Sequence, residues 1–331
     1  MTSTKLIIVD VGHGNSAVLL DSNGATIIDC APGPTVLDTL EHFSVTDIAS
    51  IIVSHGDFDH LGGLTGLLND ARLNIQNVFI NHDSEKADSQ KGTHIWQALI
   101  ASIRDARMRS GVRIHNLTVE HSGTIDSENV KIEVLAPVPE LTLCNVGESD
   151  PKGRPITSNS LSAVIRLIYN SKPLVLFTGD LDGTGFANLI EEGSDIQADV
   201  LVFPHHGGRL GVTDIRAFSR RLCELVNPQL VLFSIGRGVN NTPQPEVVEG
   251  IREAVPRAHI LCTQLSIRCA TSTPTSSFSH LVDLPSKGKN KSNCCGGTVL
   301  IEMSGKNVIY SPFEPHKEFV RSQVPAGLCI K

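Results

Sequence analysis

Ser54-His55-Gly56-Asp57-Phe58-Asp59-His60-Leu61-Gly62-Gly63 places four potential metal ligands within six residues, directly behind the apolar run Ile51-Ile52-Val53. A strand that ends in a tight loop can aim alternate side chains at one point. Imidazoles and carboxylates brought to one point bind divalent cations. Gly62 and Gly63 let the backbone turn sharply into the next helix. Two later segments repeat the arrangement. Leu174-Val175-Leu176-Phe177-Thr178-Gly179-Asp180 is an apolar strand ending in Gly-Asp, and Val200-Leu201-Val202-Phe203-Pro204-His205-His206-Gly207-Gly208 is one ending in paired histidines. Taken singly, the first is an ordinary turn and the second a structural pair. In this order, behind the first motif, they describe three buried strands that each deliver acid or imidazole groups at the C-terminal end. Such convergence builds a dinuclear hydrolase site, in which a carboxylate such as Asp180 can bridge two ions about 3.5–4 Å apart.

These residues resemble the metallo-β-lactamase superfamily and, within it, the hydrolase domain of the ComEC-type DNA-uptake proteins. The superfamily pattern His-x-His-x-Asp-His reads here as His-x-Asp-x-Asp-His, with Asp57 at the second histidine, which is similar to the ComEC-type variant. Val9-Asp10-Val11-Gly12-His13-Gly14-Asn15-Ser16 resembles that subgroup's opening, Asn159-Ser160-Leu161 its Asn-x-Ser-Leu segment, and His205-His206-Gly207 its His-His-Gly. The resemblance covers roughly residues 5–265. The chain departs from it at Gln244-Pro245, where the subgroup carries a histidine before proline, and the last 65 or so residues match nothing in it.

The resemblance implies a metal-dependent hydrolase holding two divalent ions, zinc or manganese. His55 and Asp57 would serve one ion and Asp59, His60 and His205 the other, with Asp180 bridging. Asn159 stands where the superfamily often has a histidine, so the first site reads as oxygen-rich, a set that favours manganese over zinc. Asp59 acts with the metal and water in this reading. His206 and Arg209 are close enough in sequence to protonate a leaving group or grip a phosphate, and Asn159 joins Arg209 on the substrate. The favoured activity is that of a phosphodiesterase or nuclease, with nucleic acid or another phosphodiester as partner. Hydrolysis of a lactone, thioester, amide or peptide and a non-catalytic regulatory module are the alternatives, because the fold hosts all of them.

The elements that must position these groups form two βα-rich halves. Leu6–Asp10, Ala17–Leu20 and Ala25–Asp29 read as strands, the last two joined by a turn at Asn23-Gly24. A helix near Pro34–Phe43, the strand Ser50–Ser54, a helix Leu64–Asn69, the strand Asn77–Asn81 and a helix Thr93–Arg109 follow. Val112–Val119 and Val130–Ala136 are strand candidates, and Val138–Ser158 reads as a long loop near the site. The second half runs through Leu161–Tyr169, Pro173–Thr178, a helix near Gly185–Glu192, Val200–Phe203, helix Asp214–Val226, Leu230–Ser234, helix Pro245–Ala254 and Ala258–Thr263. The expectation is an α/β protein, an αββα sandwich over residues 1–265, with a C-terminal extension, 266–331, packed on the same domain. In that extension 270–295 reads as a Ser-, Thr-, Pro- and Lys-rich loop, and Gly296–Met303 with Asn307–Tyr310 as a hairpin.

Composition sets the remaining bounds. The 331 residues, 40% apolar, suffice for one large core. Mean hydropathy is +0.02, no run approaches the ~18 apolar residues of a membrane span, and the N-terminus has no charged-then-apolar signal pattern. The expectation is a cytoplasmic protein whose eight cysteines are reduced. Cys262, Cys269, Cys294, Cys295 and Cys329, with His280 and His316, read either as packed thiols or as a structural zinc site of no standard spacing. A formal charge of −7 argues against a broad nucleic-acid-binding face. Basic residues do gather at Arg209, Arg216, Arg220 and Arg221, and again at Lys287-Gly288-Lys289-Asn290-Lys291, which reads as a solvated loop.

Overall fold

Alternation along the strands decides the layers. In β1 (Thr4–Ile8), Leu6 and Ile8 point into one apolar cluster and Ile7 into another. Successive side chains of a strand leave by opposite faces, so a strand that is apolar at every position must be covered on both sides. The computed structural model, which describes residues 3–22, 24–81, 90–144, 146–274 and 279–330, meets that demand with two stacked sheets and helices outside each. Among the described residues one sheet has eight strands and the other six.

The first sheet holds β2 (Ser16–Asp21), β3 (Gly24–Cys30), β4 (Asp47–Ile52), β5 (Asn74–Phe79) and β6 (Arg113–His115) on one side of β1. The second runs from β7 (Val130–Ala136) through β8 (Val164–Tyr169), β9 (Lys172–Phe177), β10 (Val200–Val202) and β11 (Leu230–Phe233) to β12 (His259–Cys262). The cluster between the sheets takes Leu6, Leu19, Ile28 and Ile52 from the first and Ile132, Ile165, Val175 and Val202 from the second. Outside the first sheet, Val36, Leu40, Leu64, Leu67 and Leu99 seal Ile7, Val18, Ile27 and Ile51. Outside the second, Phe186, Leu222, Val247, Ile251 and Phe319 seal Leu176, Leu201, Val231 and Ile260. This is the αββα sandwich of the metallo-β-lactamase fold.

The final hairpin, β13 (Val299–Ser304) and β14 (Asn307–Ser311), completes the first sheet, because β13 pairs antiparallel with β1 from Thr4↔Met303 to Ile8↔Val299. The chain then forms a helix, Phe313–Gln323, that the sequence reading did not foresee. The expected strand Val112–Val119 is only Arg113–His115, followed by a 3₁₀ turn at Val119–His121. The expected loop Val138–Ser158 contains a short helix, Pro139–Thr142. Asn23 of the expected turn, Asn145 of that loop and residues 275–278 of the C-terminal loop lie outside the described residues. No helix among the described residues is long and apolar enough to cross a membrane.

Candidate metal centre

Strand ends build the site. β3, β4, β9, β10 and β11 are neighbours within their sheets, and β1 lies beside β2. Their C-terminal ends open on one crevice, the place where open α/β sheets bind ligands. β4 runs on through Val53 and Ser54 to His55; β9 through Thr178 and Gly179 to Asp180; β10 through Phe203 and Pro204 to His205 and His206; β1 through Asp10 and Gly12 to His13.

Two groups of three ligand atoms come together there. His55, His60 and Asp180, all buried, form one, and His13, Asp59 and His206 form the other, each with its atoms within 4.8 Å of one another. Asp180 lies between them. Its Oδ1 is 3.1 Å from His60 Nε2 and 3.6 Å from His206 Nε2, and its Oδ2 is 3.8 Å from His55 Nε2. Asp59 Oδ2 stands 3.1 Å from His206 Nε2 and 3.5 Å from His13 Nε2. Asp57 borders the first group, its Oδ2 3.8 Å from His55 Nε2.

Three of the histidines are oriented alike. His60 Nδ1 lies 2.7 Å from Asp29 Oδ2, His206 Nδ1 2.7 Å from the Ser234 carbonyl oxygen, and His55 Nδ1 3.1 Å from Ser54 Oγ. An outward partner at Nδ1 fixes the tautomer and leaves Nε2 as the donor facing the crevice, the usual support of a metal-binding histidine. The buried His55 Nε2 has no hydrogen-bond partner. An unpaired buried polar atom costs about 1–3 kcal/mol, and a cation held by this donor set would satisfy it. The residues therefore fit a pair of divalent ions. Each group offers two imidazoles and one carboxylate. That set suits zinc as well as manganese, and Asp57 at 3.8 Å from His55 Nε2 adds a second carboxylate beside the first group.

The loops that carry the ligands are tied together. Asn15 N donates to the Asp59 carbonyl oxygen at 3.1 Å, and Ser234 Oγ to the Gly14 carbonyl oxygen at 2.6 Å. Gly14 has φ +123°, and a Cβ there would stand 2.3 Å from the Asp59 carbonyl oxygen, so only glycine fits this crossing. His205 and His206 both adopt left-handed backbone, φ 51° and 56°. Non-glycine residues in that region signal a conformation imposed by its surroundings.

Electrostatics follow from burial and proximity. Burial works against the charged form of Asp180, but His60, His206 and the hydrogen bond from His205 outweigh it and hold the carboxyl well below the usual carboxylate range. Burial likewise opposes Asp59, whose hydrogen bond from His206 and the nearby His60 hold it low. His60 is disfavoured as a cation by burial, yet Asp180 and Asp29 raise it well above the usual imidazole value. His13 moves the other way, down to about 4, through burial and the neighbouring His206.

The other expected residues lie at the mouth. His205 is about one-third exposed, with Nδ1 3.1 Å from Asp180 Oδ2 and 3.1 Å from Asn159 Nδ2. Arg209 is exposed and lines a cavity of about 340 Å³ together with His13, His205, His206, Asn240 and Gln244. Arg216, Arg220 and Arg221 do not join it. They lie on the helix Ile215–Val226 and pair with Glu253, Glu249 and Glu224. His13 and Asp29 were missed as site residues. The available signal was the same in both: a ligand-type side chain at or just beyond the end of a predicted strand.

The C-terminal cysteine and histidine set is packed. Among the described residues no group of metal-ligating atoms contains a cysteine. Cys295 Sγ lies 3.1 Å from His316 Nε2, His316 Nδ1 lies 2.9 Å from His259 Nε2, and burial pushes the Cys294 thiol up to about 12.

A sequence profile described as the Metallo-beta-lactamase superfamily matches residues 9–218. No curated protein matches the chain. Similar solved structures include the metallo-beta-lactamase fold protein YhfI from Bacillus subtilis, 11% identical over 80% of this chain and 98% of that one, with TM-score 0.47. The short form of human tRNase Z is 12% identical over 70% of this chain and 93% of that one, TM-score 0.38. A diphosphatase from the PhnP family is 13% identical over 92% of this chain and 100% of that one, TM-score 0.41.

Proposed function

The chain belongs to the metallo-β-lactamase superfamily, and from that premise we propose that it is a metal-dependent phosphodiesterase whose substrate class is nucleic acid. The observation that carries the reading is the pair of ligand groups meeting at Asp180, with the arginine Arg209 on the cavity beside them. The ComEC-type resemblance of the His55–His60 motif, the opening loop and His205-His206-Gly207 supports nucleic acid as the substrate.

His55, His60 and Asp180 would hold one ion, with Asp57 beside them; His13, Asp59 and His206 would hold the other. This division differs from the sequence-based one, which set Asp59, His60 and His205 together. Two divalent ions bound there lower the pKa of water and stabilise charge on the entering and leaving oxygens of a phosphoryl group. The chain's own residues do the rest. Asp29, Ser54 and the Ser234 carbonyl keep the imidazoles turned so that Nε2 faces the crevice. Arg209 offers phosphate oxygens a planar fork of donors. His205, steadied by Asn159 and Asp180 at the mouth, is placed to hand a proton to a leaving oxygen.

The test is hydrolysis by chelator-stripped protein reconstituted separately with zinc and manganese. Substrates are labelled single- and double-stranded oligonucleotides, a chromogenic phosphodiester, and a panel of ester, lactone and thioester. Cleavage of the phosphodiesters, lost on stripping and weakened by Arg209→Ala, is the expected result. Turnover of a lactone or thioester with no phosphodiester cleaved under either metal would assign the other hydrolase class.

A further inference from the structure

The basic run at 287–291 reads in sequence as a solvated loop, but the fold spends a fully buried carboxylate on holding it. Asp10 is 0% exposed. Its Oδ2 accepts from Ser286 Oγ at 2.6 Å and Gly288 N at 2.8 Å, and its Oδ1 from Gln264 Nε2 at 3.0 Å and Gly12 N at 3.1 Å. Its carbonyl oxygen accepts from Lys287 N at 2.9 Å. Residues 286, 287 and 288 are thus each tied to the residue that opens the His13 loop. A solvated loop needs no such anchor. The consequence is that the Lys287 backbone is fixed and only its side chain is free.

That side chain lies along the His13 loop. A Cβ built on Gly12 would meet Lys287 Cδ at 3.1 Å and Nζ at 3.4 Å, and one built on Gly33 would meet Nζ at 3.9 Å. Both glycines have positive φ and leave the stem its channel. Gly12 directly precedes His13, and neighbouring Cα atoms are ~3.8 Å apart, so the ammonium stands beside the backbone that leads into the residue that would reach for metal. Lys289 is different. Its Nζ is spent on the Val282 and Leu284 carbonyl oxygens at 3.0 and 2.8 Å and holds the loop in shape. Among the described residues no carboxylate pairs with Lys287, in a protein of net charge −7. The cavity that holds Arg209 is lined by His13 but not by Lys287. Lys287 thus stands at the Gly12 and Gly33 side of the His13 loop, outside the cavity that holds Arg209.

We propose that Lys287 is a phosphate-binding residue for a polyanionic substrate, gripping a phosphate next to the reacting one, which Arg209 holds. The inference rests on the phosphodiesterase reading above and deepens it: the substrate is a chain of phosphates longer than one linkage. A small diester would reach Arg209 and leave Lys287 untouched, whereas an oligonucleotide would span both.

The experiment compares wild type, Lys287→Ala and Lys287→Arg after reconstitution with zinc, on a labelled oligonucleotide and on a chromogenic phosphodiester. Lys287→Ala should raise KM for the oligonucleotide about 5–10-fold with kcat within about twofold, leave the small diester unchanged, and be restored by Lys287→Arg. A second arm measures anisotropy of a labelled non-hydrolysable oligonucleotide against salt. Losing one phosphate contact should reduce the slope of log affinity against log salt by about 0.7 for a single strand. If the wild type cleaves no phosphodiester, the activity reading fails and the binding arm alone judges Lys287. A shallower slope then supports it. Equal affinity and slope for Lys287→Ala and wild type, or an equal loss on the small diester, overturns it.

Discussion

Replacing Asp29 by asparagine tests the support of the centre without touching a residue that faces it. The Asp29 carboxylate is buried and takes three hydrogen bonds: from Ser54 N at 2.7 Å, from Ser54 Oγ at 2.9 Å, and with His60 Nδ1 at 2.7 Å. Asparagine keeps the shape and an oxygen for Ser54 N, but turns an N–H toward His60. His60 Nδ1 must then accept, which puts the ring proton on Nε2, the nitrogen 3.1 Å from Asp180 Oδ1 that a cation would use. Losing the carboxylate behind a metal-binding histidine costs about 10–100-fold in metal affinity, or roughly 1.4–2.8 kcal/mol. The assay is zinc titration of stripped protein against a chromophoric chelator, with thermal unfolding followed in parallel. Asp29→Asn should weaken one of two binding steps by that factor and leave the other within about threefold. Two unchanged steps in the variant, or a wild type that binds a single ion, would refute the reasoning. Asp29→Ala should also lower stability by about 3–9 kcal/mol, because three buried donors, Ser54 N, Ser54 Oγ and His60 Nδ1, lose their acceptor at roughly 1–3 kcal/mol each.

The remaining predictions concern other parts of the molecule. His13→Ala should weaken the second zinc-binding step and cut hydrolysis at least about 100-fold, while His205→Ala keeps two ions bound; the reverse result would restore the division read from sequence. Gly14→Ala should lower stability by about 2–3 kcal/mol, from positive-φ strain and the 2.3 Å approach to the Asp59 carbonyl oxygen, seen as a Tm lower by several degrees; an unchanged Tm would count against the crossing as described. Burial lowers His259 to about 4 and His316 well below the usual imidazole value. The unfolded chain then binds more protons than the folded one below about pH 6.5, so this contribution is complete above that value and is lost as pH falls toward 4. For His259 it amounts to about 3 kcal/mol in full. Denaturant unfolding of stripped protein should show a pH slope shallower by about 1 kcal/mol per unit in His259→Gln than in wild type between pH 6 and 4.5, and parallel curves would remove His259 from the account.

What the sequence made legible follows from how strands deliver side chains. His55, Asp180 and His206 sit two or three residues beyond apolar runs and His60 seven, and position relative to a run survives without knowledge of the sheet order. Which of them meet does not, because that depends on neighbours in two different sheets. His60 comes to Asp180 and Asp59 to His206 only once the end of β4 is stacked against the ends of β9 and β10. His13 was passed over because its segment was read only as resembling the subgroup's opening motif. The layers were readable because β1, β2 and β9 are apolar on both faces. The helix Phe313–Gln323 was not, since most of its surface is polar and it buries little beyond His316, Phe319 and Val320. The grip on Lys287 was hidden as well: it depends on Asp10 and Ser286, 276 positions apart.

The pairing of β1 with β13 also dictates when the molecule can be finished. During synthesis Thr4–Ile8 leaves the ribosome almost three hundred residues ahead of Val299–Met303, the strand that closes its open side. Closing so long a loop is slow, and until then β1 pairs only with β2 and offers an unpaired edge of main-chain amides and carbonyls. Its Leu6 and Ile8 stand beside that edge, so the nascent chain carries a sticky strand for most of its translation. The loop that bears His13 follows directly from β1, and its Asp10 anchor waits for Gln264, Ser286 and Gly288. The His13 loop is thus anchored only once Gln264, Ser286 and Gly288 have been made, and a product terminated before β13 would keep the open strand edge and be prone to strand-mediated aggregation.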